Sequence, residues 1–410
     1  MPDGTRIDPP PPPLGRPLID QWPNHPDRNV ALLTSVGLSD PFTWARTPDQ
    51  LSVGQRARLA IALGLDSPPD VLVLDEFLTG IDAPTARACA WRIARTLRRS
   101  GVGLIAATTR DDITMDLAPD LLIRCDWTPP PTIAPRLHDQ PTCSLLPQVA
   151  YRPGTSSDWA ALAHLHYAAG APATVHSYHV LTHPDLPGPA AVAIISYPDL
   201  HSAARNLATQ DAYSIRGDRL TAQRLNREVL KLSRLVVAPE LRGIGLAIRL
   251  VHEITQRISA RWLECVTAIG PYTRWLAHAG FREIPQASGP PEARLLDLAE
   301  QLSIPPHVAL RPDGLPRWAA QQSVRHRRQL QDRVWRYYHH FVLHRRTHAP
   351  IPRRVPHLTD PRWADAWAFA SRRLADRPAY YILGPLDPQT GLPDPDYAPA
   401  SPPVTDALAS

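Results

Sequence analysis

One lysine, Lys231, stands among 410 residues, so no Gly-Lys-Ser/Thr turn is available to grip the β and γ phosphates of a nucleotide. The four cysteines, Cys89, Cys125, Cys143 and Cys265, form no Cys-x-x-Cys pair, which argues against a disulfide framework or a structural zinc. A reducing, cytoplasmic setting is expected. No apolar run approaches the ~20 residues that a membrane-spanning helix needs, and the start is proline-rich without an apolar signal core. No membrane partner is expected. A net charge of +5 is modest for this length, so any polyanion would have to be met by a local patch.

Proline, by contrast, is abundant. Its clusters at 9–13, 129–135 and beyond 350 favour extended linkers and forbid helix interiors. They divide the chain into a disordered start (1–13), an α/β region (14–127), a linker (128–149), an α+β region (150–290), a basic helical extension (291–348) and a Pro-rich tail (349–410) with one helix-like stretch at 363–374. A hydrophobic share of 43% is enough to give the larger regions real cores.

In the first region, apolar residues recur at helical spacing over 30–38 and 59–65, with Asp49 or Ser52 available as caps for the second run. Val71 to Leu74 reads as a buried parallel strand, Ala86 to Leu97 as a helix and Val102 to Ala107 as the next strand, which is α/β order. Asp75 and Glu76 follow the first strand, where one carboxylate can order Mg²⁺ and the next can polarise an attacking water. Leu51-Ser52-Val53-Gly54-Gln55 precedes this pair and Leu78-Thr79-Gly80-Ile81-Asp82 follows it.

Together these segments resemble the ABC ATPase superfamily, with the phosphate-gripping loop absent. The resemblance implies a partial P-loop (ABC) ATPase domain using ATP and Mg²⁺. Ser52, Gly54 and Gln55 would meet the γ-phosphate held by an opposite subunit, Asp82 would bridge the subunits, Asp75 would hold the metal and Glu76 would serve hydrolysis. The partner would be a second copy or an ABC subunit. The family's switch histidine aligns with Arg110. ATPase activity of the chain alone is not expected. Three readings stay open: a start lost from the sequence, a degenerate remnant, or a half-site that completes a partner's in trans.

In the second region, 158–169 reads as helix, with strands at 175–182, 190–197 and 229–237. The last strand runs through Pro239 into Arg242-Gly243-Ile244-Gly245-Leu246-Ala247, which opens a helix to about residue 258. Glycines at a helix start leave several amides free for an anion, a seat suited to a diphosphate. Residues 234–250 resemble motif A of the GNAT acetyltransferases, and 272–281 resemble that family's later helix ending in Ala-Gly-Phe. This implies an α+β acyl-CoA N-acyltransferase that moves an acetyl group from acetyl-CoA to an amine acceptor. Backbone from Arg242 through Gly243, Ile244, Gly245 and Leu246 to Ala247 would hold the diphosphate, while Val236 and Val237 lie on the strand that splays to admit pantetheine. Glu228, near the start of that strand, is the candidate base. Tyr272, one turn before Leu276 where the family often has tyrosine, is the candidate acid. His164 and His166 read either as acceptor-site residues or as helix surface. The two resemblances in one chain are similar to a prokaryotic family that fuses an ABC-type ATPase to an acetyltransferase.

In the basic extension, Arg325, Arg327, Arg328, Arg333, Arg336, Arg345 and Arg346 interleave with Trp335, Tyr337, Tyr338 and Phe341. Two readings compete: stacking and phosphate pairing with a nucleic acid over 325–346, or an amphipathic helix docked on the transferase core. His340, His344 and His348 share a helical face, but no carboxylate or cysteine accompanies them as a metal ligand. The competing functional class is a scaffold in which both folds persist only as binding modules.

Overall fold

Residues 5–6, 15–21, 26–66, 70–125, 130–135, 140–166, 170–215, 219–268, 270, 274–285, 290–304, 308, 313–344, 355–357, 359–375 and 378–386 are described by the computed structural model. A three-stranded parallel sheet anchors the first part: β1 (Thr5–Arg6), β2 (Val71–Leu74) and β3 (Gly103–Ala106), with β2 in the centre. The start expected to be disordered thus contributes a short strand, because the β2 edge offers it backbone partners at Val71 and Leu72.

Helices α1 (Pro26–Ser35), α2 (Pro41–Trp44), α3 (Val53–Asp66), α4 (Ala83–Ser100) and α5 (Thr114–Leu117) complete this part. Asp40 caps α2 by accepting from the amides of Phe42 and Thr43, and Asp82 caps α4 by accepting from that of Thr85. The core gathers Leu33, Leu59, Leu72, Phe77 and Ile93, each nearly or fully buried. Along β2 the alternation sends Leu72 and Leu74 inward.

Where it is described, the expected linker is packed against the rest of the chain. Its β5 (Thr132–Pro135) pairs antiparallel with β4 (Leu121–Arg124), and Cys143, Leu145 and Val149 are buried in the second core. Asp116 fastens the segment, accepting from the Ser144 amide and hydroxyl at 2.7 Å each. Proline here shapes the path of the chain without freeing it.

The second core is built on a seven-stranded sheet of β6 (Ala150–Pro153), β7 (Val175–Thr182), β8 (Pro189–Ser196), β9 (Val229–Val237), β10 (Trp262–Thr267), β11 (Arg282–Ile284) and β12 (Ala379–Leu383). The spatial order is β11-β12-β10-β9-β8-β7-β6. Only β9 and β10 run parallel; every other neighbouring pair is antiparallel. Helices α6 (Ser156–Leu162), α7 (Ala203–Ala208), α8 (Arg219–Glu228), α9 (Leu246–Thr255) and α10 (Trp275–His278) connect the strands.

The region expected to be a Pro-rich tail supplies β12, the strand between β10 and β11. Tyr380, Tyr381, Ile382 and Leu383 are all buried, as befits a strand paired on both edges. The basic extension is accordingly an insert between two strands of one sheet. Its helices α11 (Pro290–Gln301), α12 (Gly314–Ala320) and α13 (Val324–Tyr338) pack with α14 (Arg362–Ala375) around Leu295, Leu315, Leu330, Trp335 and Trp363, a core of their own. Among the described residues no helix is long and apolar enough to cross a membrane.

Helix α4 belongs to two cores at once. Cys89, Ala90, Ile93 and Leu97 face the first, while Ala88 lies in the second with Trp91 packed against it. Arg87 reaches Asp185 at 2.5 Å, and Trp91 donates its indole N–H to the Pro141 carbonyl at 3.2 Å. The two α/β parts therefore share one apolar seam.

Candidate functional site

β9 and β10 pair only where Val229–Leu232 lie beside Trp262–Cys265, although β9 runs on to Val237. At the same point the β9 register against β8 slips, with Leu232 opposite Ile195 and Arg234 opposite Ile194, so Ser233 is a bulge. Beyond Leu232 the two parallel strands part. The chain then turns through Pro239–Leu241 and enters α9 by way of Gly243 (φ +82°) and Gly245 (φ +95°), both in the left-handed region that glycine tolerates best.

Ile244 and Leu246 are buried and pin this turn from beneath, while Gly243 and Gly245 are exposed. Among the described residues no acceptor is bonded to the amides of residues 243–247, and they stand at the positive end of α9. Ile244 and Gly245 also line a cavity of about 360 Å³ with Leu146, Ile248 and Arg249. The turn therefore has free donors and an open approach.

Arg242 departs from the expected seat. Its amide bonds the Pro239 carbonyl, and its side chain turns inward, Nε donating to the Val237 carbonyl at 3.0 Å and Nη1 lying 3.4 Å from Asp40. Burial pulls its pKa below the ordinary arginine value, and Asp40 opposes that pull. The available amides begin at Gly243. Val236 is buried against Val192 and Ile194, and Val237 lies opposite Ala191, so both serve as wall.

Glu228 ends α8, at the opposite end of β9 from the glycine turn. It accepts from the Tyr213 hydroxyl at 2.8 Å, from Arg224 Nε at 3.1 Å and from Arg227 Nη2 at 3.1 Å. Burial pushes its pKa up, but these three donors outweigh that and hold it below the ordinary carboxylate value. Tyr272 lies outside the described residues. His164 sits in a single 3₁₀ turn, and His166 lies edge-on to Trp159 at 5.8 Å.

The sheet also assembles a buried ionic cluster that the sequence reading missed. Arg205 Nη1 lies 3.1 Å from Glu264 Oε2, Tyr380 donates to the same carboxylate at 2.7 Å, and Arg205 Nη2 donates to the Asp199 carbonyl at 2.7 Å. Lys231 is in register with Glu264 across β9 and β10, and its Nζ bonds Asp199 Oδ2 at 2.6 Å. Burial raises the Glu264 pKa, against the pull of Arg205 and Tyr380. The available signal was a charge inside each of two apolar strands. Its partner on α7 and its partner on β12 could not be inferred without the topology.

In the first part, Asp75 and Glu76 are exposed at the carboxyl end of β2, the usual ligand side of a parallel sheet. Asp75 Oδ1 accepts from the Glu76 amide at 2.9 Å, and Glu76 holds φ +48°, which is strained for a side-chain-bearing residue. Ser52 and Gln55 form a reciprocal cap on α3, with Gln55 N to Ser52 Oγ at 3.2 Å and Ser52 N to Gln55 Oε1 at 3.0 Å. Gly54 sits so close to Ile81 that a Cβ would overlap its Cγ2 methyl. Arg110 grips Asp112 through two bonds and donates to the Ile81 carbonyl at 2.6 Å; the Asp112 bond raises its pKa. Gly54 and Arg110 thus meet at Ile81, next to Asp82. Among the described residues no group of three or more His, Cys, Asp or Glu is poised to hold a metal. The His344 side chain and His348 lie outside them.

The basic helix α13 uses its aromatics internally. Trp335, Tyr337 and Tyr338 are 2%, 5% and 6% exposed, packed against α14, so they are closed to base stacking. The helix is amphipathic, but the surface it docks on is its own helical insert and not the transferase core as expected. Arg325 and Arg328 remain exposed, and Arg345 and Arg346 lie outside the described residues.

No family model matches the chain. Part of it is 36% identical over 104 residues to a methionine import ATP-binding protein of Rhodococcus jostii, covering 25% of this chain and 30% of that protein. An energy-coupling factor transporter ATP-binding protein of Lactococcus lactis is 41% identical over 86 residues, 21% of this chain and 29% of its own length. An ABC transporter ATP-binding protein of Mycobacterium tuberculosis is 41% identical over 90 residues, 22% of this chain and 13% of its own. The chain thus spans less than a third of these curated relatives, and about a quarter of it resembles ABC-type ATP-binding proteins. These comparisons give the acyltransferase expectation no support.

Proposed function

We propose that residues 150–285 with β12 form a GNAT-type acyl-CoA-dependent N-acyltransferase, joined to a partial ABC-type ATP-binding module. The observation that carries this reading is the parting of β9 and β10 beside a glycine turn whose amides lack acceptors. The amides of 243–247 suit a diphosphate, and the edge of β9 that β10 vacates suits an extended amide-bearing arm such as pantetheine. The bulge at Ser233 would then face the thioester. An unprotonated amine attacks that carbonyl, its proton passes to a base, the C–S bond breaks and the thiolate takes up a proton, leaving an amide and free coenzyme. Glu228 lies five residues from Ser233, about 16 Å of extended strand, beyond direct reach of an amine at the bulge. Asp199, tied to Lys231 two residues before the bulge, is the proton acceptor proposed in its place.

Titration calorimetry with acetyl-CoA tests the reading. Micromolar binding by the whole chain, abolished by Gly245→Val, is expected; no binding by the unaltered chain sinks it.

The comparisons favour a second reading for the first module, an ABC-type half-site that completes a partner's ATP site. The exposed Ser52 cap and the convergence of Gly54, Asp82 and Arg110 around Ile81 support it. With no lysine to reach the phosphates, the chain alone is expected to show no saturable Mg-ATP binding in equilibrium dialysis. Retention appearing only with an added P-loop-bearing cassette subunit, and lost in Ser52→Arg, would support the half-site. A second copy of the chain is the other candidate partner, and a cytoplasmic setting suits either.

A further inference from the structure

The geometry points to Arg92 as a positioning residue for the coenzyme seat, delivered to it from the ABC-like module. This inference rests on the acyl-CoA reading above. Arg92 lies on α4 and is 6% exposed. One terminal nitrogen donates to the carbonyl of Arg242, the other to Cys89 Sγ at 3.3 Å, and Nε donates to the Ala88 carbonyl at 3.1 Å. Three fixed bonds leave the fork little freedom to turn.

The acceptor it takes is the carbonyl of the Arg242–Gly243 peptide, whose N–H side is the first free donor of the turn. Holding the carbonyl on the protein side holds the amide on the open side, because the peptide is planar and trans. Gly243 makes room for this approach: a Cβ there would stand 2.6 Å from Arg92 Nη1 and 2.8 Å from its Cδ. The same turn is held from α2, where the Asp40 cap lies 3.4 Å from Arg242. Two residues of the first module thus hold Arg242 of the second, Arg92 at its carbonyl and Asp40 at its side chain. The left-handed turn, which would otherwise cost conformational entropy to order on binding, is set beforehand.

Asp82, the cap of α4, lies about 15 Å from Arg92 along the helix axis. The loop that ends at Asp82 and the glycine turn are therefore linked through the first half of one helix. In this arrangement the ABC-like module works as part of the acyl-CoA site.

The test uses the whole chain and acetyl-CoA, with calorimetry on the unaltered protein, Arg92→Met and Arg92→Lys, and amide hydrogen exchange without ligand. Arg92→Met is expected to weaken acetyl-CoA binding about 10- to 100-fold, the loss of a charge-assisted bond that orders the seat. Amides 243–247 should exchange faster, while those of α14, in the separate helical core, keep their rates. Arg92→Lys keeps the charge and the stem but lacks the fork, and should restore only part of the affinity. Equal affinity and exchange in the unaltered chain and Arg92→Lys, with Arg92→Met also unchanged or unfolded, would overturn the assignment. Absence of binding in the unaltered chain would remove the coenzyme reading and this inference together.

Discussion

Gly243 and Gly245 stand two residues apart with the same sign of φ, yet their surroundings should make substitution at the two positions cost different amounts. Alanine at either must adopt a left-handed conformation, at about 1 kcal/mol. At Gly245 nothing lies within 4 Å of the new Cβ, so the cost should stop there. At Gly243 the methyl overlaps Arg92, which three hydrogen bonds hold in place, adding roughly 1–3 kcal/mol of overpacking. Gly243→Ala should therefore destabilise by roughly 2–4 kcal/mol in the unaltered chain and by about 1 kcal/mol when Arg92 is alanine. The assay is a double-mutant cycle on urea unfolding followed by tryptophan fluorescence, with Gly245→Ala as control. A coupling near zero between positions 243 and 92, or one as large between 245 and 92, would refute the proposed seam.

Four further outcomes follow from the same structure. His179 is held neutral, its pKa lowered to about 4 by burial and by the charges of His176 and Arg257. The unfolded chain takes up this proton near pH 6.5, so its contribution is complete above that value and lost as pH falls toward 4. The loss is on the order of 3 kcal/mol; His179→Gln should flatten the slope of unfolding free energy over that window, and an unchanged slope contradicts the assignment. Arg205→Met leaves Glu264 buried beside Tyr380 without its cation and should cost about 3–5 kcal/mol, measured by denaturation; less than 1 kcal/mol would mean the cluster is solvated. Ending the chain after residue 375 removes β12 from between β10 and β11 and should give insoluble protein; a folded, soluble product would show that strand to be dispensable. Trp335→Ala should destabilise the helical insert by about 3–5 kcal/mol, while weaker RNA binding with the insert intact would restore the stacking reading.

Local signals in the sequence were legible where a short motif carries its own geometry. The strand at 71–74, the core of the helix expected over 86–97, the long strand 229–237 and the glycine turn all stand where the periodicity and the glycines put them. What escaped depends on contacts between distant segments. Proline density suggested a loose linker at 128–149 and a tail after 349, yet the described part of each is held by apolar residues, Leu145 and Val149 in one and Tyr380 to Leu383 in the other. The arginine and aromatic interleaving of 325–346 looked like a binding face because sequence does not reveal which side of a helix meets α14. Arg205, Glu264 and Tyr380 come from three segments as far as 175 positions apart in the numbering, and only the sheet order brings them together. Arg242 matched the expected seat by position, but its side chain answers to Asp40, a residue of the other module.

The central claim is that the amides of the glycine turn receive the coenzyme's diphosphate. Glycine-selective ¹⁵N labelling gives 20 backbone probes, two of them at Gly243 and Gly245. On addition of acetyl-CoA these two resonances should move farthest, with Gly80, in the loop before α4, unaffected. If acetyl-CoA leaves both in place, or moves only glycines outside the turn, the claim is wrong.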